Sequence, residues 1–321
     1  MSVLIYAESA DGKIKKGALE LASYAFEIAK MLNTEAVAVT INQDDVMELA
    51  QYGITKVIKV NHPNLNNFSA KAYSEVIKQA QEKCDAKVVV IASTLNSLYI
   101  GPVLAATLQA GYASNVVALP SNVSPFTVKR TAFSNKAFNI SEISTDIKLL
   151  SLGKNSFGLK ENVTTITEET LEVNLSDDLF AVQVIKQEKT SGKVTIADAD
   201  IVVSAGRGLK GPENWGMIEQ LAEVLGAATA CSKPVSDLGW RSHSEHVGQT
   251  GKPVATNLYI AIGISGAIQH IAGINSSKVK VVINTDPEAP FFKVADYGIV
   301  GDAFEVVPQL IEKLKIFKEN S

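Results

Sequence analysis

The sequence has few of the residues that build metal centres and disulfide networks. Its two cysteines, Cys84 and Cys231, are far apart and form no CxxC motif, which argues against structural zinc and against disulfide cross-links. His243, Glu245 and His246 crowd three candidate ligands into one loop, and we expect no metal site there. Cysteine usage of this kind is typical of a protein in a reducing compartment.

A strong charge of one sign and a long apolar run are also missing. The formal net charge is −4, so we expect no nucleic-acid partner and no attraction to acidic membranes. Residues 258–277 carry no charged side chain, but glycine, serine and amide residues interrupt them, which predicts no membrane insertion. The apolar stretch at the N-terminus is too short for a signal peptide. We therefore expect a bacterial cytoplasmic location or a matrix-like soluble compartment.

Short β-branched runs alternate with helical patterns, which predicts an α/β fold with mainly parallel sheets. The chain of 321 residues is 46% hydrophobic, enough for about two domains. In the N-terminal half the predicted strands are 3–7, 36–40, 56–60 and 87–92, and the predicted helices are 17–31, 44–52, 69–83 and 99–110. Alternating runs between 125 and 185 predict an antiparallel extension with turns at Gly153 and Gly158.

The charged segment 188–200 contains Ser191-Gly192 and is the predicted linker. It separates an N-terminal α/β domain, 1–187, from a C-terminal domain, 201–321. The second domain is predicted to be Rossmann-like and doubly wound, because its strand, turn and helix patterns repeat.

The segment 247–270, VGQTGKPVATNLYIAIGISGAIQH, predicts a cofactor site in the second domain. Leu258–Gly263 is nearly all apolar, as in a central parallel strand. Ser265 is a candidate N-cap for the next helix, and Gly266 allows a ligand close to the backbone, so free N–H groups would face an anion. This segment has no GxGxxG spacing, so it does not support a nicotinamide fingerprint.

Arg207 lies between Gly206 and Gly208 at the end of a second apolar strand. Its planar guanidinium is suited to clamping a pyrophosphate, and the simpler alternative is a surface arginine beside a turn. His270 is a lone histidine on a mostly apolar helix, a position that packing alone also explains. The first domain has no glycine loop with a lysine, so we expect no phosphate cradle there.

Several stretches resemble the FAD-binding domain of the electron transfer flavoprotein alpha-subunit family. The resemblance covers about residues 201–318 and is carried by VVSAGRGLKGPEN, CSKPVSDLGW, VGQTGK, GISGAIQH and KVKVVINTDPEAPFFKVADYGIVGD. Residues 1–190 resemble the family only in layout. The resemblance implies an FAD-containing electron carrier without substrate turnover of its own.

Partners follow from the same resemblance. It implies a heterodimer with a beta subunit that carries AMP, with the first domain of this chain serving assembly. The implied donors are acyl-CoA dehydrogenases of fatty acid β-oxidation or other flavin dehydrogenases, and the implied acceptor is of the quinone oxidoreductase type.

The resemblance also assigns roles in FAD binding. Arg207 contacts the diphosphate, Ser232 the phosphate and ribityl region, and Gln249 with Thr250 the ribityl and flavin ring. Thr250 would donate to the ring nitrogen that takes up electrons, and a protonated or donating His270 would bind the flavin C2 carbonyl. Asn284 lies near the diphosphate, and Asp302 with Ala303 at the adenosine end. The remaining expected contacts are Lys233, Val247, Gly248, Gly263, Ser265, Gly266, Ala267, Ile268 and Gln269.

Lys233 departs from the family pattern, because many relatives have arginine after the serine of this loop. The positive charge is kept but the rigid fork is lost, and Arg241 is a candidate to compensate. Two other functions stay open at this point. One is an NAD-dependent enzyme on a related Rossmann-like fold, and the other is a nucleotide-sensing module built on the first domain.

Overall fold

In the computed structural model the chain forms two compact units, Met1–Phe133 with Ala137–Glu188, and Lys189–Ser321. The structure describes residues 1–10, 12–133, 136–182, 184–186, 195–196 and 199–320. The predicted linker 188–200 lies mostly outside the described residues, so the domain boundaries that it sets stay predictions.

A large sheet with helices on both faces forms the first unit. Its described helices are α1 (Lys16–Met31), α2 (Ala70–Cys84) and α3 (Leu95–Leu108). Its described strands are β1 (Ser2–Tyr6), β2 (Ser9–Ala10), β3 (Lys13–Ile14), β4 (Glu35–Ile41), β5 (Lys56–Val60), β6 (Ala86–Ala92), β7 (Gly111–Val116), β8 (Asn122–Val123), β9 (Phe126–Ala132), β10 (Ala137–Ile143), β11 (Lys148–Leu152) and β12 (Thr167–Thr170). The strand order of the large sheet is β10-β9-β7-β11-β6-β1-β4-β5-β12, with β8 paired to β9, whereas β2 and β3 pair with each other in a separate sheet.

Alternation along β1 explains why both faces of this sheet are covered. Val3 and Ile5 join the core cluster that contains α1 residues, whereas Leu4 and Tyr6 join the cluster that contains residues of α2 and α3. Successive side chains of a strand point to opposite faces, so an unbroken apolar strand needs a helix on each side. The α/β class predicted from the sequence is confirmed.

The antiparallel extension predicted for 125–185 is only partly correct. β8, β9 and β10 pair antiparallel, but β11 lies parallel between β6 and β7, and β12 pairs parallel with β5. The sequence of β11, KLLSL, contains three leucines, and four of its five residues are buried, as expected for a central parallel strand.

Two predicted helices also differ from the structure. The predicted helix at 44–52 is a short 3-10 turn, Met47–Gln51. The helix predicted at 99–110 begins earlier, at Leu95, because the Thr94 hydroxyl accepts a hydrogen bond from the Ser97 N–H and caps it.

Five parallel strands form the sheet of the second unit. They are β13 (Ile201–Ala205), β14 (Ala228–Cys231), β15 (Leu258–Ile262), β16 (Val279–Asn284) and β17 (Tyr297–Val300), with helices α4 (Gly216–Leu225), α5 (Lys233–Asp237), α6 (Ile268–Ile274) and α7 (Ala303–Glu319). The order β14-β13-β15-β16-β17 reverses direction between β13 and β15. This doubly wound topology places the ligand crevice beyond the carboxyl ends of those two strands.

None of the helices in the described part of the chain is long and apolar enough to cross a membrane.

Candidate functional site

Every strand of the second unit carries a predicted site residue where it ends. Arg207 follows β13, Ser232 follows β14, Gly263 follows β15, Asn284 ends β16 and Asp302 follows β17. Because all five strands are parallel, their carboxyl ends share one edge of the sheet. The structure therefore brings the widely spaced candidate residues to a single edge.

A close backbone crossing lies at the centre of this edge. The Gly206 N–H donates to the Ile262 carbonyl at 2.9 Å, and the Gly208 N–H donates to the Gly263 carbonyl at 3.2 Å. A Cβ on Gly263 would lie 2.8 Å from the Gly208 Cα, and Gly263 has a φ of +60°. Only glycine suits both the conformation and the contact, so the crossing keeps this surface free of side chains.

Gly206, Gly208 and Gly211 have the spacing GxGxxG directly after β13. The structure differs from a dinucleotide fingerprint, because no helix begins inside the motif. A 3-10 turn covers Arg207–Leu209, Lys210 is left-handed, and α4 begins at Gly216. The first two glycines serve the crossing, while the third precedes a further turn.

Arg207 is exposed and forms no ion pair with any described residue. Arg241, in contrast, is paired with two acidic residues. Its guanidinium donates two hydrogen bonds of 2.9 Å to Glu245 and one of 3.1 Å to Glu219. It also lies over the Trp215 ring, 5.2 Å from the centroid. Two carboxylates therefore pair with Arg241, so its fork is occupied in this structure, and compensation for Lys233 by Arg241 stays an open prediction.

Lys233 begins α5 and is largely exposed, with Nζ 3.8 Å from the Asp237 carboxylate. Ser232 precedes it as the N-cap residue, is buried, and makes no side-chain capping bond. The Ser232 hydroxyl is therefore not used to cap the helix that follows it.

The helix predicted to open at Ser265 begins later. Ser265 is not its N-cap, because α6 starts at Ile268 with Ala267 in the capping position. Gly266 is left-handed with a φ of +88°, and a Cβ there would lie 2.5 Å from the Phe291 N. The Phe291 N–H also donates to the Ser265 carbonyl at 3.1 Å. These contacts keep the loop out of a helical conformation until Ala267, and His270 consequently lies in the first turn of α6.

The segment 247–250 packs against α6. The Gln249 N–H donates to the Gln269 carbonyl at 2.7 Å, and the Val247 N–H donates to the Cys231 carbonyl at 3.0 Å. Gly248 lies so close to α6 that a Cβ on Gly273 would be 2.6 Å from its Cα. This loop and the first turn of α6 therefore form one surface, on which Gln249, Thr250, Ile268 and Gln269 are exposed.

His270 is 5% exposed, and its Nε2 lies 2.9 Å from the Tyr259 hydroxyl. Burial, with a smaller contribution from His246, lowers the pKa of His270 to about 4. The imidazole is therefore neutral at pH 7, which leaves the donating and not the protonated form of the two that the family resemblance implied. Its predicted contact with a cofactor stays a prediction.

Asn284 and Asp302 hold the loops at their end of the sheet. The Asn284 amide donates to the Ile264 carbonyl at 3.1 Å. The Asp302 carboxylate accepts from the Phe304 N–H at 2.9 Å and lies 3.7 Å from the Lys210 ammonium. Both side chains thus have partners within the protein, and their predicted contacts with FAD stay predictions.

The side chains of His243 and Glu245, in the loop that also carries His246, contact other residues of the protein. His243 Nδ1 lies 2.8 Å from the Ser236 hydroxyl, and Glu245 binds Arg241. Among the described residues no three histidine, cysteine or acidic side chains are grouped to hold a metal ion.

Comparison with known proteins identifies the two units. Residues 195–275 match the family model described as electron transfer flavoprotein FAD-binding domain, and residues 3–178 match electron transfer flavoprotein domain. The chain is 37% identical over 319 residues to electron transfer flavoprotein subunit alpha of Bacillus subtilis, covering 98% of this chain and 97% of that one. It is 35% identical over 318 residues to the subunit of that name from Syntrophomonas wolfei, with coverages of 97% and 98%. It is also 36% identical over 318 residues to the probable mitochondrial electron transfer flavoprotein subunit alpha of Caenorhabditis elegans, covering 98% of this chain and 93% of that one.

Gly263→Ala is expected to abolish FAD retention. The new methyl group meets the Gly208 backbone while the residue is held in a left-handed conformation, which costs about 2–4 kcal/mol of stability in the second unit. Flavin absorbance after dialysis and urea unfolding measure both effects. Gly216→Ala is the matched control, because a Cβ there meets nothing within 4 Å and stability should change by less than about 0.5 kcal/mol. If both variants keep FAD equally, the crossing is not part of the site.

The low pKa of His270 predicts that the second unit loses stability in acid. The unfolded chain takes up a proton near the ordinary histidine pKa of about 6.5, whereas folded His270 resists protonation until about pH 4. The stabilisation is therefore complete above pH 6.5 and is lost as the pH falls towards 4, with a maximum of about 3 kcal/mol.

Urea unfolding between pH 7.5 and 4.5 measures this dependence. His270→Gln should flatten the profile, whereas His243→Gln, which changes an exposed histidine, should keep its slope. An unchanged slope in His270→Gln would show that other groups cause the acid sensitivity.

Proposed function

This chain belongs to the electron transfer flavoprotein alpha-subunit family, and on that premise we propose that it is the FAD-binding half of a heterodimeric electron carrier. The observation that carries the proposal is the glycine crossing at the switch point with Arg207 exposed beside it. A guanidinium that has no ion pair among the described residues, next to a glycine backbone, fits a diphosphate that lies against that backbone. As a carrier, the protein would accept and pass on electrons without turning over a substrate.

Different residues of this sheet edge would contact the diphosphate of FAD and its ribityl chain and ring. Arg207 and the backbone of Gly206 and Gly208 would hold the diphosphate. The exposed polar side chains of Gln249 and Thr250, with Ser232 and Lys233, would contact the ribityl chain and the ring. When bound, FAD supplies the redox chemistry, and the protein sets its orientation, its access to solvent and the charge around it.

We propose a beta subunit, carrying AMP, as the partner of this chain. On the β9–β10 hairpin Phe133, Phe138 and Ile140 are exposed at 83%, 64% and 62%. Such exposure of large apolar side chains at the edge of a sheet is typical of a surface that a partner covers. The proposed electron donors are acyl-CoA dehydrogenases or similar flavoenzymes, and the proposed acceptor is a quinone oxidoreductase in the respiratory chain.

The test is co-expression with a beta subunit of the electron transfer flavoprotein family. The purified pair should show the two absorbance bands of a flavin, and these should bleach when an acyl-CoA dehydrogenase and its substrate are added. The chain purified alone should aggregate or lose FAD, because a partner that binds only the folded form stabilises it by mass action. A pair that binds no flavin refutes the function, and a stable, flavin-replete monomer at micromolar concentration refutes the obligate partner.

Arg207→Ala should weaken FAD binding by roughly 30-fold to several thousandfold. The variant loses a charge-assisted bidentate interaction of about 2–5 kcal/mol if the bound diphosphate is desolvated. Folding should be unaffected, because Arg207 is exposed. FAD retention on dialysis and direct titration measure the change. Lys278→Ala is the control, since it removes a positive charge from an exposed residue before β16, at the opposite edge of the same sheet. Equal retention by both variants would make Arg207 an ordinary surface residue.

Lys233→Met should lower the first reduction potential of the bound flavin by roughly 40 mV. A full positive charge about 4 Å from the reduced ring at an effective dielectric of about 20 sets a ceiling of roughly 4 kcal/mol. Exposure and the neighbouring Asp237 carboxylate reduce this to about 1 kcal/mol. Spectroelectrochemical titration of the heterodimer tests it, with Lys278→Met as the control. A potential within about 15 mV of the parent would show that Lys233 points to solvent.

A further inference from the structure

Arg130 lies beside a cleft in the sheet of the first unit. At one end of β7, Val116 pairs with Arg130 of β9. At the other end, the Gly111 N–H donates to the Thr145 hydroxyl, just beyond β10, at 2.7 Å. The cleft has a volume of about 320 Å³ and is lined by the first residues of β7, by Arg130 and by the segment 141–145. Hydrogen-bonded backbone therefore borders the cleft.

The guanidinium of Arg130 is poorly satisfied within this chain. Arg130 is half-buried, and its Nε is buried without a hydrogen-bond partner among the described residues. Its Nη1 donates to the Ser114 hydroxyl at 3.4 Å, which is longer than a usual hydrogen bond. Arg130 forms no ion pair with a described residue. A guanidinium is always charged and has five N–H donors, so its partial burial costs free energy unless a group from outside the chain supplies acceptors.

The one acidic residue in the sequence of the β9–β10 hairpin, Glu142, is not placed to be this acceptor. Glu142 lines the cleft, but the register puts it opposite Thr127, whereas Arg130 is opposite Asn139. Residues directly opposite each other share a face of a sheet, and Glu142 is three residues from Asn139. The side chains of Glu142 and Arg130 are therefore directed to opposite faces of the hairpin.

We propose that this cleft binds an oxyanion, a carboxylate or a phosphate group, with Arg130 as its charged contact. A planar guanidinium pairs with either group through two parallel hydrogen bonds, and Nε with one Nη can supply them. Ser144 also lines the cleft, and its hydroxyl is a further donor. The oxyanion is a free ion or an acidic side chain of the beta subunit, and only the second source rests on the proposed function.

The first assay titrates the purified heterodimer with inorganic phosphate in a calorimeter. If the ligand is a free ion, binding is saturable and Arg130→Gln weakens it about 10- to 100-fold, the loss expected for charge-assisted hydrogen bonds. Lys129→Gln is the matched control. It removes the same charge from the next residue of β9, which points to the opposite face and lies over the Phe138 ring at 4.0 Å.

The second assay measures the dissociation constant of the two subunits. If the beta subunit supplies a carboxylate, Arg130→Gln weakens the association about 10- to 100-fold. Lys71→Gln is the control here, because Lys71 is an exposed residue of α2 away from the hairpin. Arg130→Lys keeps the charge but not the planar fork, so it should lie between the wild type and Arg130→Gln in the assay that responds.

A loss specific to Arg130→Gln in either assay supports the proposal and identifies the source of the oxyanion. Values for Arg130→Gln that equal those of the control in both assays overturn it. Urea unfolding of each variant is measured in parallel. If Arg130→Gln does not fold, Arg130→Lys is compared with the wild type in both assays, and unchanged values overturn the proposal. Flavin absorbance is recorded separately, so that a heterodimer without FAD refutes the proposed function while the phosphate titration still tests the cleft.

Discussion

The close contact between the turn after β13 and the turn after β15 is the constraint on which the site depends. At a switch point the connections that follow two neighbouring parallel strands go to opposite faces of the sheet. This leaves a crevice between them that side chains could easily fill. Here Gly206 and Gly208 hydrogen-bond across it to Ile262 and Gly263, and no Cβ fits between them. The backbone is therefore the floor of the crevice. Arg207, held between two glycines at that floor, has its charge directed outward because the floor has no room for its side chain.

The positively charged side chains at the same edge differ in how they are paired with acidic residues. Arg241 is bound to Glu245 and Glu219, so it stabilises the loop after α5 and adds little field. Arg207 has no such acid within the described part of the chain, and Lys233 has only a weak, exposed one. Burial lowers the pKa of His270, so this residue adds no positive charge to the edge at neutral pH.

Local sequence patterns predicted the strands and the site residues that follow them, because each signal is contained in a few neighbouring residues. Lys56–Val60 was predicted with its observed bounds, and Arg207 was identified from its two glycines. The start of α6 was wrong by three residues, because the contact between Gly266 and Phe291, which delays the helix, joins residues far apart in sequence. For the same reason β11 was assigned to the antiparallel region: its place between β6 and β7 is set by long-range pairing. The bond from Tyr259 to His270 had no local signal at all.

The first unit also has a switch point, but the charged group there is a buried carboxylate and not an exposed guanidinium as in the second unit. The strand order changes direction between β1 and β6, and Glu8 follows β1 while Thr94 follows β6. Glu8 is 3% exposed, and its carboxylate accepts from the Thr94 hydroxyl at 2.6 Å and lies 3.1 Å from the Lys15 ammonium. A carboxylate held at the start of α3 already satisfies the positive end of that helix, and it repels a phosphate. The two switch points thus differ in the residues that follow their first strands: Gly206 and the exposed Arg207 in the second unit, and the buried Glu8 in the first.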